Sequence, residues 1–390
     1  MTGGGSGGHI TPALAVVHEL KQLRPEAHIT YVGQTGDSLG DIPAQHPDVD
    51  QVLTVRAGKF RRYHGGGLRQ LLDVVTLYKN LRDALWVLIG IGQSFRLLGV
   101  VKPNVIFTRG SFVSVPVCLA AVLRGIPYIT HDSDAIPGLA NRIIARWARV
   151  HAVALPKEVY PYPPKKTVTV GVPVADAFRP LSAAEVIAER TRLGIEAAQQ
   201  VVCITGGGNG AARLNRAVAR CAPELFARYP RMWILHIAGR LTEAETRQLY
   251  KQLLTPAQNK QVIVRGFITN LHQFSGAADV VITRAGMTSL AEFAIQAKAC
   301  IVVANPQLSG GHQLQNAKVL ADRKAVRLVE DKNLSADPHA LMPALTELLD
   351  DPTKAQALGA KLSEVAQPNA THLLAMVVLE VVEAQNSKSE

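Results

Sequence analysis

Apolar and polar positions alternate along the chain between short apolar runs and longer stretches of helical period. Residues 28–33, 51–55, 104–108, 127–131 and 149–155 read as strands, with helices over 12–23 and 113–124. A proline-dense stretch, 156–164, cannot continue a helix or a central strand and marks a boundary. The rhythm then resumes with strands at 167–170, 201–205, 232–238, 261–264, 279–283 and 300–303. Helices are predicted at 182–193, 211–229, 243–254, 289–297 and from His312. Short apolar strands separated by helices predict parallel sheets covered on both faces.

The pattern therefore gives an α/β protein of two doubly wound, Rossmann-like domains facing a cleft. The first spans 1–164 and the second 165–366. Residues 367–390 form a closing amphipathic helix over 371–385 and a polar tail. No apolar segment precedes Gly3, so either a few residues are missing ahead of Met1 or the opening strand of the first domain is expected to be missing.

One region breaks the rhythm. Residues 68–101 are apolar and helical, with the uninterrupted run Ala84-Leu85-Trp86-Val87-Leu88-Ile89-Gly90-Ile91-Gly92. That run is too short to span a bilayer, and Arg96 ends the longer window. Lys59, Arg61, Arg62 and Arg69 lie upstream. Core helices behind a solvated basic loop are the simpler reading. The alternative is a surface helix dipping into a membrane beside a basic patch.

Two glycine runs stand out, Gly3-Gly4-Gly5-Ser6-Gly7-Gly8-His9 and Gly206-Gly207-Gly208-Asn209-Gly210, each giving way to a helix. Glycine permits a tight turn and close approach, and the following helix start presents free N–H groups to an anion. Gly3-x-Gly5-x-x-Gly8 satisfies a dinucleotide fingerprint, but its second strand closes on Val32-Gly33-Gln34-Thr35 without the expected carboxylate. This disfavours a dehydrogenase. Neither run leads into Lys-Ser or Lys-Thr, which excludes a P-loop.

Composition adds three constraints. A chain of 390 residues exceeds what one core usually holds. A net charge of +11 favours anionic partners: nucleotides, nucleic acid or anionic lipid. Cys118, Cys203, Cys221 and Cys300 occur singly in apolar patterns and read as reduced core residues of a cytosolic protein without a secretory leader.

His9, directly after the first run, is either a general base or a helix-start residue with a local hydrogen bond. Ser289-x-x-Glu292 is fully accounted for as a capping box, although a carboxylate there also suits a ribose diol. Gly310-Gly311-His312-Gln313 follows the next strand and is placed to line the same cleft.

Taken together, Gly4-Gly5-Ser6-Gly7-Gly8-His9-Ile10-Thr11-Pro12-Ala13, Gly110-Ser111-Phe112-Val113-Ser114-Val115-Pro116 and His131-Asp132-Ser133-Asp134-Ala135-Ile136-Pro137-Gly138-Leu139-Ala140-Asn141 resemble the MurG family. So do Gly171-Val172-Pro173-Val174, Gly266-Phe267-Ile268, Arg284-Ala285-Gly286-Met287-Thr288-Ser289-Leu290-Ala291-Glu292 and His312-Gln313-Leu314-Gln315-Asn316-Ala317, in the family's order. The resemblance implies a GT-B glycosyltransferase whose closing helix, in 367–390, packs back on the first domain. It would move N-acetylglucosamine from UDP to the C4 hydroxyl of a lipid-linked N-acetylmuramoyl-pentapeptide in peptidoglycan synthesis. The resemblance places the Ile268 backbone on the uracil, Glu292 on the ribose, and Gly207, Gly208, Asn209 and Gly210 on the diphosphate. Met287, Thr288, His312 and Gln313 would meet the sugar and phosphate side. His9 is the implied base, Asp134 the second catalytic candidate, and Ser6, Gly7, Gly8, Asp132, Asp134 and Asn141 the implied acceptor contacts.

The implied partners are UDP-N-acetylglucosamine, the lipid acceptor, an anionic membrane surface at its cytoplasmic face, and proteins of cell-wall synthesis, with no nucleic acid. No cofactor or obligatory metal is implied, although Asp132-x-Asp134 mimics a metal-binding pair. Two positions depart from the family pattern. Gly208-Asn209 stands for Ser-Gln, and Ala175 replaces an arginine near the diphosphate, for which Arg179 or Arg213 could substitute. Three rivals remain at this stage: a transferase acting on another lipid such as diacylglycerol, a UDP-sugar epimerase, and a non-catalytic membrane scaffold.

Overall fold

The computed structural model describes residues 1–4, 7–37, 39–59, 74–207, 210–305 and 311–387. Side chains are described for these except at 7–9, 11, 74–77 and 335. The chain forms two compact units, Met1–Val174 with Gln367–Glu390, and Ala175–Ala366.

In the first unit, β1 (Thr30–Gln34) and β2 (Gln51–Val55) pair in parallel. β3 (Ile106–Thr108), β4 (Tyr128–Asp132), β5 (Val150–Val153) and β6 (Thr167–Thr169) form a second parallel ladder in sequence order. Thr2 joins the two, bridging to Val32 on one side and Thr108 on the other. Its N–H donates to the Phe107 carbonyl at 3.0 Å, and the Val32 N–H donates to the Met1 carbonyl at 2.9 Å. The slot of the expected missing strand is thus filled by two residues, enough to continue the hydrogen-bond pattern across the sheet.

β6 belongs to this unit, which runs ten residues past the boundary that the prolines suggest. Pro156–Pro164 is not a linker. It winds through short 3-10 turns, Lys157–Val159 and Pro164–Lys166, and buries Tyr160 and Tyr162. The helix Ala370–Asn386 packs on the helix Gly7–Leu23: Leu374, Ala375, Val378 and Val381 share one apolar cluster with Val16, Val17 and Leu20. His372 Nδ1 and Glu19 Oε1 lie 2.7 Å apart at its edge.

The helix Val74–Val101 presents two faces. Asp83, Gly90, Ser94 and Leu98 are buried, and a Cβ on Gly90 would sit 2.0 Å from the Arg56 carbonyl oxygen. On other faces Tyr78, Leu81, Leu85, Leu88 and Val100 are each more than half exposed. By length and composition Tyr78–Val101 is apolar enough to cross a membrane.

The second unit holds one six-stranded parallel sheet. β7 (Gln200–Thr205), β8 (Met232–Ile237), β9 (Val262–Arg265), β10 (Val280–Arg284), β11 (Ala299–Ala304) and β12 (Arg327–Glu330) lie in the order β12–β11–β10–β7–β8–β9. The order reverses between β7 and β10. The helices on one face bury Leu214, Val218, Leu225, Leu345 and Leu358 against Ile204, Ile234 and Ile301.

Candidate active site

In an open parallel sheet, a ligand crevice forms beyond the carboxyl ends of the strands where the order reverses. In the second unit that point lies between β7 and β10, and both strands end in a turn leading to a helix. After β7, Gly207 has φ +79° and Gly210 φ +74°, conformations that favour glycine. A Cβ on Gly210 would lie 2.3 Å from the Ala238 carbonyl oxygen, so no larger residue fits. Thr205 Oγ1 accepts from the Gly207 N–H at 3.3 Å. The helix Ala212–Arg228 follows, and its N-cap, Ala211, supplies no side-chain acceptor to the first turn. Gly208 and Asn209 lie outside the described residues.

After β10 the helix Met287–Ile295 starts two residues earlier than the sequence pattern suggests, with Gly286 as N-cap. Ser289 is therefore the third helical residue, and Glu292 lies in the second turn. The capping-box reading of Ser289 and Glu292 is corrected: that spacing falls inside the helix, where there is no free N–H for Ser289 to cap. Glu292 is half-buried, and burial pushes its carboxyl up to about 8. Met287 is buried and Thr288 half-buried.

Beyond β11, Gly311 (φ +73°) caps the helix His312–Asp322. Gln313 Oε1 is buried with no hydrogen-bond partner among the described residues. Asn316 Nδ2 donates to the Ala285 carbonyl at 3.1 Å, tying this helix to the turn after β10. Ile268 lies in the loop after β9, half-buried, beside an exposed Phe267 whose ring carries the Arg240 guanidinium at 4.2 Å.

The first unit has a buried polar network at the ends of β3 and β4. Arg109 Nε donates to His131 Nδ1 at 3.2 Å, and His131 Nε2 donates to the Gly171 carbonyl at 2.9 Å. A ring that accepts at Nδ1 and donates at Nε2 is neutral. Arg109 also donates to Ser133 Oγ. Burial pulls its guanidinium down to about 10, against the opposing charges of Asp134 and Asp132. Asp132 is buried, and burial pushes its carboxyl up to about 6 despite hydrogen bonds from Tyr162, Asn141 and the Gly138 N–H. Tyr162 Oη donates to Asp132 Oδ2 at 2.7 Å. Asn141 is buried too, its amide donating to the His131 carbonyl at 3.1 Å. Asp134 is half-buried.

Comparison with known proteins decides the kinship. The glycosyltransferase family 28 N-terminal domain matches residues 1–153, and the family 28 C-terminal domain matches residues 201–374. The UDP-N-acetylglucosamine–N-acetylmuramyl-(pentapeptide) pyrophosphoryl-undecaprenol N-acetylglucosamine transferase of Moorella thermoacetica is 31% identical over 387 residues, covering 98% of this chain and 99% of that one. The same-named protein of Desulforudis audaxviator is 30% identical over 373 residues, covering 95% and 94%. The chain belongs to the MurG family. The crystal structure of Acinetobacter baumannii MurG superposes with a TM-score of 0.73 at 24% identity, covering 97% of this chain and 98% of that one. At a TM-score of 0.61 and 12% identity, a UDP complex of S. aureus MnaA shares the fold. The fold is GT-B.

The described residues that the resemblance assigns to the donor lie at the carboxyl edge of the second sheet, after β7, β9, β10 and β11. Of the residues that the resemblance assigns to the acceptor or to catalysis, Gly7, Gly8 and His9 open the helix Gly7–Leu23. Pro12 is inside that helix, so it starts before the Thr11 and Pro12 that the sequence marks as its beginning. Ser6 and the His9 side chain lie outside what the structure describes. Neither proposed stand-in for the family's missing arginine is uncommitted. Arg179 donates to Glu185 Oε1 at 2.5 Å, and Arg213 pairs with the buried Asp331. The sequence reading passed over Arg109 as a buried cation and Tyr162 as a partner of Asp132. Arg109 had one signal, a lone arginine before glycine at a strand end. Among the described residues no three His, Cys, Asp or Glu side chains cluster as a metal site.

Proposed function

We propose that this chain transfers N-acetylglucosamine from UDP to the C4 hydroxyl of undecaprenyl-pyrophosphoryl-N-acetylmuramyl-pentapeptide, with inversion at the anomeric carbon. One observation carries the reading: in a chain with full-length kinship to this family, two glycine-led helix starts sit side by side at the switch point of the second sheet. The diphosphate lies on the turn Gly206–Gly210 and the start of Ala212–Arg228. The ribose hydroxyls donate to Glu292, and the Ile268 backbone meets the uracil. Gln313 Oε1, a buried acceptor without a partner among the described residues, takes a hydroxyl or amide N–H of the sugar, beside Met287, Thr288 and His312.

The first unit takes the acceptor, at the glycine run and beside Asp134. Asp132 and Asn141 support that surface from inside the network around Arg109. The acceptor oxygen bonds to C1 as the bond from C1 to the UDP oxygen breaks. His9 removes the hydroxyl proton, and the helix dipole stabilises the charge that grows on UDP without an obligatory metal. The exposed apolar face of Val74–Val101, with Lys79 and Arg96 exposed on the same helix, seats the first unit on the anionic cytoplasmic leaflet where a lipid-linked acceptor resides.

UDP release measured with and without the lipid-linked muramyl-pentapeptide tests the reading. Acceptor-dependent release is expected, also in chelator, and His9→Ala should lower turnover by about 10²–10⁴ while donor binding persists. Release that ignores the acceptor, or that needs diacylglycerol instead, rejects it.

A further inference from the structure

His236 is fully buried in the second unit, and the transfer reaction leaves it unused. It stands on β8, between the helices Ala212–Arg228 and Glu243–Leu253. Its Nδ1 lies 2.9 Å from the hydroxyl of Tyr250, on the second of these helices, and its Nε2 lies 3.0 Å from Asn215 Oδ1, on the first. Asn215 is 1% exposed, and its Nδ2 donates to the Ala238 carbonyl at 2.8 Å and to Thr242 Oγ1 at 3.1 Å. Only the amide nitrogen can donate to a carbonyl, so Oδ1 faces the ring and Nε2 carries the proton. Nδ1 is then the acceptor and the Tyr250 hydroxyl the donor. The ring is neutral, and burial holds the imidazole down to about 3.

This relay ends under the second glycine turn. A Cβ on Gly210 would lie 2.3 Å from the Ala238 carbonyl oxygen, 2.9 Å from Gly239 Cα and 3.0 Å from Thr242 Oγ1. Thr242 Oγ1 also donates to the Ala238 carbonyl, at 2.6 Å, so one carbonyl takes two donors. The Asn215 N–H closes the first bond of its helix on the Ala211 carbonyl at 2.9 Å. The N–H groups ahead of it belong to the free first turn, which presents them to an anion. Asn215 therefore holds the helix start with its backbone and the floor of the glycine turn with its side chain. A single amide, whose orientation His236 sets, fixes the end of β8 against the helix start after β7.

We propose that Asn215 is a positioning residue for the diphosphate of the donor: its amide, oriented by His236, sets the Gly210 turn and the helix start so that their N–H groups meet the diphosphate together. The inference rests on the donor reading and adds that the grip on the charged part of the donor is set from beneath the turn, by side chains that touch no phosphate. The Ile268 backbone and Glu292 stand elsewhere on the sheet edge, after β9 and β10, and hold the uridine without this relay.

The test measures the Kd of UDP and of uridine by calorimetry, at one pH, on the full chain and on two variants. Asn215→Leu removes both donors at similar volume and should weaken UDP about tenfold, with uridine at its wild-type value. Thr242→Val removes one hydroxyl from the same floor and should weaken UDP about threefold, again with uridine unchanged. A merely structural role would loosen the unit and weaken both ligands alike. The proposal is overturned if UDP and uridine both keep their wild-type Kd values, or if they lose affinity by the same factor. Thr242→Val decides by the same ratio if Asn215→Leu does not fold. A wild-type chain that binds UDP no more tightly than uridine fails the donor reading itself, and this proposal with it, before any variant is measured.

Discussion

Arg284 Nη1 lies 2.5 Å from Asp331 Oδ1, with Asp331 1% and Arg284 8% exposed. Arg213, in the first turn after the second glycine run, reaches the other oxygen of the same carboxylate. One buried anion thus ties the end of β10 to the helix start after β7, the two motifs of the proposed donor site. Arg284 also donates to the Val303 carbonyl at 3.2 Å, which adds β11 to the knot.

Removing that anion leaves Arg284 buried without its counter-charge. Asp331→Asn should cost about 3–5 kcal/mol, the usual penalty for breaking a buried pair from one side. Arg213 is 44% exposed in its side chain, so Arg213→Gln should cost under about 1 kcal/mol. Denaturant unfolding of the two variants checks the contrast. Equal costs would mean that Asp331 is not the centre of the knot.

Glu292 gives a prediction with a sign. Its carboxyl is held up to about 8 by burial, so below that pH the unliganded site is mostly protonated. A ribose diol donates to the carboxylate, so binding releases a proton and affinity rises with pH up to about 8. Uridine tests this without the titration of a phosphate. Its Kd should fall by on the order of tenfold per pH unit between 6 and 8, and flatten above. Glu292→Gln should bind uridine with no such slope. A flat wild-type profile would remove Glu292 from the ribose.

Much of this was legible in the amino-acid pattern because buried parallel strands are apolar throughout. β1 to β11 lie within about two residues of their expected positions. β12 was not foreseen: Arg327-Leu328-Val329-Glu330 is an edge strand with charged ends and only Val329 fully buried. The prolines of 156–164 forbid a helix, but they do not forbid a packed turn, and Tyr160 and Tyr162 bury themselves there. The one-carboxylate knot at Asp331 was invisible for another reason. It joins residues 118 positions apart in sequence, and only the fold brings them together.

The Tyr162–Asp132 bond should carry a pH signature of its own. Above about pH 6 Asp132 is ionised and the phenol donates to a charge; below it the acceptor is neutral. Hydrogen bonds to charged groups contribute about 1.5–3 kcal/mol and neutral ones about 0.5–1.5 kcal/mol. Tyr162→Phe should therefore destabilise roughly twice as much at pH 8 as at pH 4.5. Because burial raises the Asp132 carboxyl, the native state holds its proton longer than the unfolded chain. This group's contribution is thus full below the ordinary carboxylate range and is lost as pH rises to about 6. Without the phenol the carboxyl rises further, and that window widens upward. Unfolding free energies at the two pH values decide it; a variant whose cost is the same at both would show that the bond does not sense the charge.

Leu85 and Leu88 stand 54% and 65% exposed on the long helix of the first unit, where no other part of the described chain covers them. A soluble surface gains nothing from leaving such residues on one helix, and a lipid surface gains their transfer energy. Burying part of each in the acyl boundary contributes on the order of 1 kcal/mol apiece. Leu85→Gln with Leu88→Gln should therefore weaken binding to anionic phospholipid vesicles by about 10- to 100-fold. The melting temperature should be unchanged, since neither side chain is part of the core. Raising the salt should weaken wild-type binding as well, because exposed basic residues such as Lys79 and Arg96 are screened over about 10 Å at 0.1 M. Co-sedimentation with vesicles across a salt series separates the two contributions. Wild-type affinity in the double variant would mean that the apolar face meets something other than lipid.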